Sequence, residues 1–200
     1  MTDVDDQDSS RQAKIRDILE QEVQDGEDLA NAARNMIGFL LRDKKGYGPE
    51  HIRKGLAFEV TLGQEAFWSS ADFIVSVNGR MGMIIKCAAG SLDSRERQAV
   101  AAARVIASPP LPVAVVADPV TAEVLDVATG KVIGEGFGAI PTREQLEVIL
   151  KQNVPQSLDA KWLEKEKRIL LAFDAIKCCV PQGGGGGVQI GPEPAEDKKS

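Results

Sequence analysis

Three apolar runs at hairpin spacing, "LAFEVTLG" (56–63), "ADFIVSV" (71–77) and "GRMGMIIKC" (79–87), constrain this chain more than any other feature. Each is bounded by Gly or polar residues, and the second and third meet at Asn78-Gly79, a pair suited to the positive backbone angles of a tight turn. They predict an antiparallel meander. A helical segment follows, starting at Asp93 or Ser94 and running through "RQAVAAARVIA" to Pro109-Pro110, with Glu96 three residues after Asp93 as in a capping box. Then comes "LPVAVVAD", short, β-branched and uninterrupted, which suits a strand covered on both faces. A helix between two such strands is a crossover connection, so the expected fold class is α/β with a mixed sheet.

The flanks complete one domain. Upstream, "RQAKIRDILEQEV" is weakly amphipathic, "QDGED" interrupts it, and Leu29, Ala32, Ala33, Met36, Ile37, Leu40 and Leu41 then keep a helical rhythm until "KKGYGPE". Downstream, "AEVLDVATGKVIGEG" reads as a hairpin turning at Thr129-Gly130, and "PTREQLEVIL" and "DAKWLEKEKRILLAFDAI" read as helices. The expected organisation is an acidic mobile leader over 1–11, a single domain over 12–182 and a disordered Gly- and Pro-rich tail over 183–200. The run Gly183 to Gly187 is low complexity, without the Lys-Ser/Thr ending of a phosphate loop.

Composition narrows the function classes. Two hundred residues with 43% hydrophobic content suffice for one core, and the net charge of -6 leaves nucleic-acid contact to a local basic patch. No run reaches the length of a membrane span and the start lacks a signal peptide, so no membrane and a cytoplasmic location are expected. Cys87, Cys178 and Cys179 form no CxxC pair, and His51 has no partner nearby, which disfavours zinc.

Within the meander, Asp72 heads one strand and Lys86 stands near the end of the next. Buried ions are costly unless paired or ligating, so the two either form a site or sit at a solvated rim. Asp72 as a hydrogen-bond acceptor at a strand start, with Lys86 as its partner or as a snorkelling residue, is the plain structural alternative.

In order and spacing, "DKKGYGPEHI", "ADFIVSVNGR", "RQAVAAAR", "LPVAVVAD", "VLDVATGKVIGEG" and "IPTREQL" resemble the N-terminal nuclease domain of the type I restriction enzyme R subunit, over about Glu27 to Leu150. The resemblance implies a restriction-endonuclease-like mixed β-sheet flanked by helices. It also implies a site of the PD-(D/E)xK kind, in which an Asp and a Glu-x-Lys pair on neighbouring strands hold Mg²⁺ and orient the attacking water. Asp72 matches the Asp, as catalytic residue and metal ligand. The second half of the motif departs from the pattern. Without gaps Lys86 falls on the family's Glu and Ala88 on its Lys; with a shift of two, Lys86 matches the Lys and Ile84 replaces the Glu.

Gln98 matches the Gln of a Gln-x-x-x-Tyr motif, with Ala102 in place of the Tyr. Glu27, Asp28, Glu59 and Glu65 are candidates to lend a carboxylate, and Arg95, Arg97 and Arg104 to touch phosphates. With one metal carboxylate missing, the expectation is a nuclease fold of impaired catalysis, acting as a nucleic-acid-binding or assembly module on DNA or an unknown protein partner. The alternative is an active Mg²⁺-dependent DNA endonuclease. No helicase motor accompanies the segment, so ATP-driven translocation is not expected of it in isolation, and its oligomeric state is not legible.

Overall fold

The computed structural model describes residues 4–153 and 157–178, with side chains from 21 to 174 except at 23. The anticipated tail at 183–200 lies outside the described residues. The elements run α1 (Val4–Asp43), β1 (Ile52–Leu62), β2 (Glu65–Val77), β3 (Arg80–Cys87), α2 (Asp93–Val105), β4 (Val113–Ala117), β5 (Ala122–Asp126), β6 (Lys131–Glu135), α3 (Arg143–Gln152) and α4 (Ala160–Cys178). The six strands pair in sequence order. Only β3 and β4 are parallel, and α2 joins them.

Local chemistry explains these elements. Asn78 and Gly79 both take positive φ, +52° and +76°, the signature of a type I′ turn joining β2 to β3. Every residue of β4 is buried, as a strand covered on both faces requires. Thr142 and Gln145 close a reciprocal capping box that starts α3. The box expected at Asp93 and Glu96 does not form: the N-cap is Leu92, and Asp93 already lies within the helix. α1 is one continuous helix from Val4, without the expected break at "QDGED". Gly26 lowers helix propensity by about 1 kcal/mol, which the helix accommodates without breaking.

The sheet separates two cores. On one side, Ile37 and Leu41 of α1 and Leu146 and Leu150 of α3 pack on Phe73, Val75 and Ile85. On the other, α2 with its buried Ala99, Ala101, Ala102 and Ala103, and α4 with Leu170, pack on Ile74, Ile84 and Val116. The stripe of α1 that reaches the sheet is Ala30, Ala33, Ile37 and Leu41, while Leu29 and Met36 of the expected stripe are exposed. Small side chains let α2 approach closely, and so bring its charged residues into the interior.

The meander changes face midway. On β1, Ile52 joins the α1 side, whereas Leu56, Phe58 and Val60 join the α2 side; on β2, Phe67 and Ala71 join the α2 side and Phe73, Val75 and Val77 the α1 side. Residues two apart in a strand normally share a face. The interruption falls between the pairs Lys54↔Phe73 and Leu56↔Ala71, at Gly55 and Asp72. Gly55 has φ +59°, a conformation that reverses the pleat and that a residue without Cβ adopts at no steric cost.

Candidate functional site

Asp72 occupies this reversal point. It is the eighth residue of β2, which starts at Glu65, and therefore lies mid-strand and not at the strand head that the sequence suggests. The reversal turns its carboxylate towards α1. Oδ1 accepts from Arg34 Nε at 2.6 Å, and Oδ2 accepts from the backbone N–H of Cys87 at 2.7 Å. One charged donor and one backbone donor thus hold both oxygens. The Asp72 carboxylate also raises the pKa of the Arg34 guanidinium. Burial, and then the Asp72 charge, push the Cys87 thiol up to about 12, so Cys87 stays a neutral thiol at physiological pH.

Lys86 faces the other way. It lies between Ile84 and Ala88, both in the α2-side core, and pairs across β4 with Val116 of the same core. Its Nζ donates to the Ser70 carbonyl at 2.7 Å, among its interactions, and the residue is 6% exposed. The neighbouring Ser69 hydroxyl is buried without a hydrogen-bond partner. Gln98 is on this side too: its Nε2 donates to Asp174 of α4 at 3.1 Å, and Arg95 reaches its Oε1 at 3.4 Å. The structure therefore brings Lys86 and Gln98 to one face and turns the Asp72 carboxylate to the opposite one.

Glu59, Glu65, Glu27 and Asp28, the suggested substitute carboxylates, are exposed, and the charge of Glu27 adds to that of Asp72 in raising the Arg34 pKa. Carboxylates converge elsewhere. Oxygens of Asp93, Glu96 and Glu123 lie within 4.8 Å of one another and could hold a metal ion. Glu123 shares a cross-strand row with Lys86 through Val116, two strands away or about 10 Å. Burial, the charge of Glu96 and a hydrogen bond to it raise the Glu123 pKa, so a shared proton is the alternative to a cation between these groups.

The arginines of α2 also serve the interior. Arg104 is 6% exposed, donates Nε to the Val127 carbonyl at 2.9 Å and Nη2 to that of Ala128 at 3.0 Å, and pairs with Glu166 of α4 at 3.0 Å. Glu166 is fully buried and also binds Arg97 at 2.7 Å and the Trp162 indole N–H at 2.9 Å. Burial opposes its charged form, but the hydrogen bond and charge of Arg97 and the charge of Arg104 outweigh it, and the Glu166 pKa is lowered. Reasoning from sequence missed Glu166, although its position four residues after Trp162, on the apolar side of the helix, is the signal that finds it. Arg34 was missed likewise, four residues after Ala30 and three before Ile37 of the packed stripe.

The described residues include no helix long and apolar enough to cross a membrane. No family model, curated protein or solved structure matches the chain.

Proposed function

We propose that this chain is a nuclease-fold domain, akin to the N-terminal domain of type I restriction R subunits, that binds without hydrolysing and serves chiefly in assembly. One observation carries the reading: both oxygens of Asp72 are occupied by the protein's own donors, Arg34 and the Cys87 amide. A metal at Asp72 would have to displace the arginine and then bind a lone carboxylate, which seldom holds Mg²⁺ without substrate phosphates.

Assembly is favoured over nucleic-acid binding by the disposition of charge and apolar surface. Lys86 is buried, Arg97 is engaged with Glu166, and Arg80 starts β3 at the end opposite Lys86, where it donates to the Leu150 carbonyl. These cations do not build one patch. By contrast, Leu29, Met36 and Phe39 of α1 are large apolar side chains left exposed at helical spacing.

A second reading, metal-dependent phosphodiester hydrolysis, is favoured by Asp93, Glu96 and Glu123, whose spacing suits a divalent cation such as Mg²⁺ on the same face as Lys86. Supercoiled-plasmid nicking with Mg²⁺ or Mn²⁺ separates the two. The binding module predicts no nicking by wild type. Nicking lost in Glu123→Gln and kept in Asp72→Ala would establish the second reading, and nicking lost in both Asp72→Ala and Lys86→Ala would restore hydrolysis at the family's own positions. Fluorescence anisotropy with duplex DNA tests the remaining choice: tight, steeply salt-dependent binding would favour nucleic acid over assembly.

A further inference from the structure

The outer surface of α1 carries Leu29, Ala32, Met36 and Phe39, all exposed. Their steps of three, four and three residues are the a and d positions of a heptad, the pattern of a seam between two helices. The stripe Ala30, Ala33, Ile37 and Leu41, which α1 buries against its own sheet, lies roughly a third of a turn away round the helix. The seam therefore faces water, and about half of each of Leu29, Met36 and Phe39 is open to it. A row of large apolar side chains on one helix face is the mark of a docking surface.

Charge beside the seam specifies what covers it. In the same heptad frame the flanking g positions are Asp28, Asn35 and Arg42, all exposed. The opposite flank, the e positions Ala33 and Leu40, packs towards the protein's own core and carries no charge. On an identical helix running the other way, g faces g: Asp28 meets Arg42 of the second copy at both ends of the seam, and Asn35 lies on the two-fold axis. Leu29 then packs beside Phe39 of the second copy, and the small Ala32 opposite its Met36. In a parallel pair g faces e instead, and Asp28 would meet Ala33 and find no counter-charge. Asp25 and Asp43 take the next d and a positions and end the seam after two heptads in either orientation.

We propose that the exposed seam of α1 docks antiparallel on the same seam of a second copy of this chain, forming a two-fold homodimer. The inference rests on the assembly reading and deepens it by naming the partner. A seam of two heptads is smaller than the interfaces of permanent dimers, so a dimer that dissociates at micromolar concentration is expected.

The test is sedimentation equilibrium of the full chain at low salt, over about 5–500 µM, a range matched to an interface of this size. The wild-type mass is expected to rise from that of the monomer towards twice that value. Asp28→Lys and Arg42→Glu each place like charges at both ends of the seam and are expected to weaken the dimer about tenfold, whereas the double variant restores opposite pairs and is expected to regain wild-type affinity. Phe39→Glu, at a half-exposed position, is expected to leave a monomer with unchanged circular dichroism. A wild type that stays monomeric throughout, or a dimer indifferent to both single charge reversals, would overturn the inference and leave the assembly reading standing with a different partner. Failure of that reading itself is seen separately, as nicking or steeply salt-dependent DNA binding by wild type.

Discussion

The two faces of the sheet handle buried polarity differently. On the α1 side the cluster Arg34–Asp72–Cys87 sits where the meander reverses its pleat, and apart from it buried Lys45 and Tyr47 each donate to a single backbone carbonyl, of Gly138 and Pro141. The cluster's arginine is 41% exposed and its aspartate 17%, so water shares the burden of solvating the pair. On the α2 side, Glu166 is fully buried and is bound to two arginines and an indole, while Lys86, Gln98 and Asp174 add a further polar group to the same layer. The difference teaches that the polar chemistry of this domain is concentrated between α2, α4 and the sheet. The hairpin aspartate that draws attention in the sequence is a strut by comparison.

The contrast can be broken by substitution. Glu166→Ala leaves Arg104 buried with its charge uncompensated and is expected to cost about 3–5 kcal/mol in urea denaturation. Asp72→Ala removes an acceptor from Arg34 and the Cys87 amide, where solvent can partly replace it, and is expected to cost about 1–3 kcal/mol. If Asp72→Ala proves as damaging as Glu166→Ala, the two faces are not different in kind.

Acid titration sharpens the comparison. The folded pKa of Glu166 lies below the ordinary 4.5, so its contribution to stability is complete above that value and is lost as pH falls through the lower folded value. Chemical denaturation across this acid range should therefore show a steeper loss in wild type than in Glu166→Gln. Glu123 has the opposite sign: its raised pKa means that the folded state holds its proton more tightly, so stability is lost as pH rises above the unfolded value, and Glu123→Gln should flatten that limb. A smaller effect is expected at the reversal point, where Gly55→Ala forces a Cβ into φ +59° in otherwise open space and should cost about 1 kcal/mol. A neutral result there would mean that the pleat reversal does not depend on glycine.

Much of the architecture was legible because it is written in short-range signals. Apolar runs at hairpin spacing, Asn78-Gly79 and the uninterrupted "VAVVA" lead to the meander, its turn and the central parallel strand. What escaped depends on distance. Strands β1 and β2 extend well beyond their apolar portions because pairing across the hairpin carries exposed residues such as Trp68 into the ladder. The resemblance, in either register, implied that Asp72 and Lys86 lie beside one pocket, whereas the pleat reversal at Gly55 and Asp72 leaves the aspartate on Arg34 of α1 and Lys86 among the α2-side core. The Asp93–Glu96 spacing reads as a capping box, yet both side chains meet Glu123, thirty residues downstream of Asp93, which no local pattern reveals. The pairing of Glu166 with Arg104, as distinct from the burial of Glu166, required knowing that α2 and α4 pack together.

The most direct test of the central claim, that Asp72 is held by the protein's own donors and is not a metal ligand, is a ¹H–¹⁵N correlation experiment with added Mn²⁺, following the Cys87 amide that donates to Asp72 Oδ2. Paramagnetic broadening falls steeply with distance, so an ion on Asp72 would erase this signal first. Retention of the Cys87 amide signal at Mn²⁺ concentrations that broaden exposed carboxylate regions is the predicted result. Selective loss of that signal, abolished by Asp72→Asn, would contradict it and return Asp72 to the role of a metal ligand.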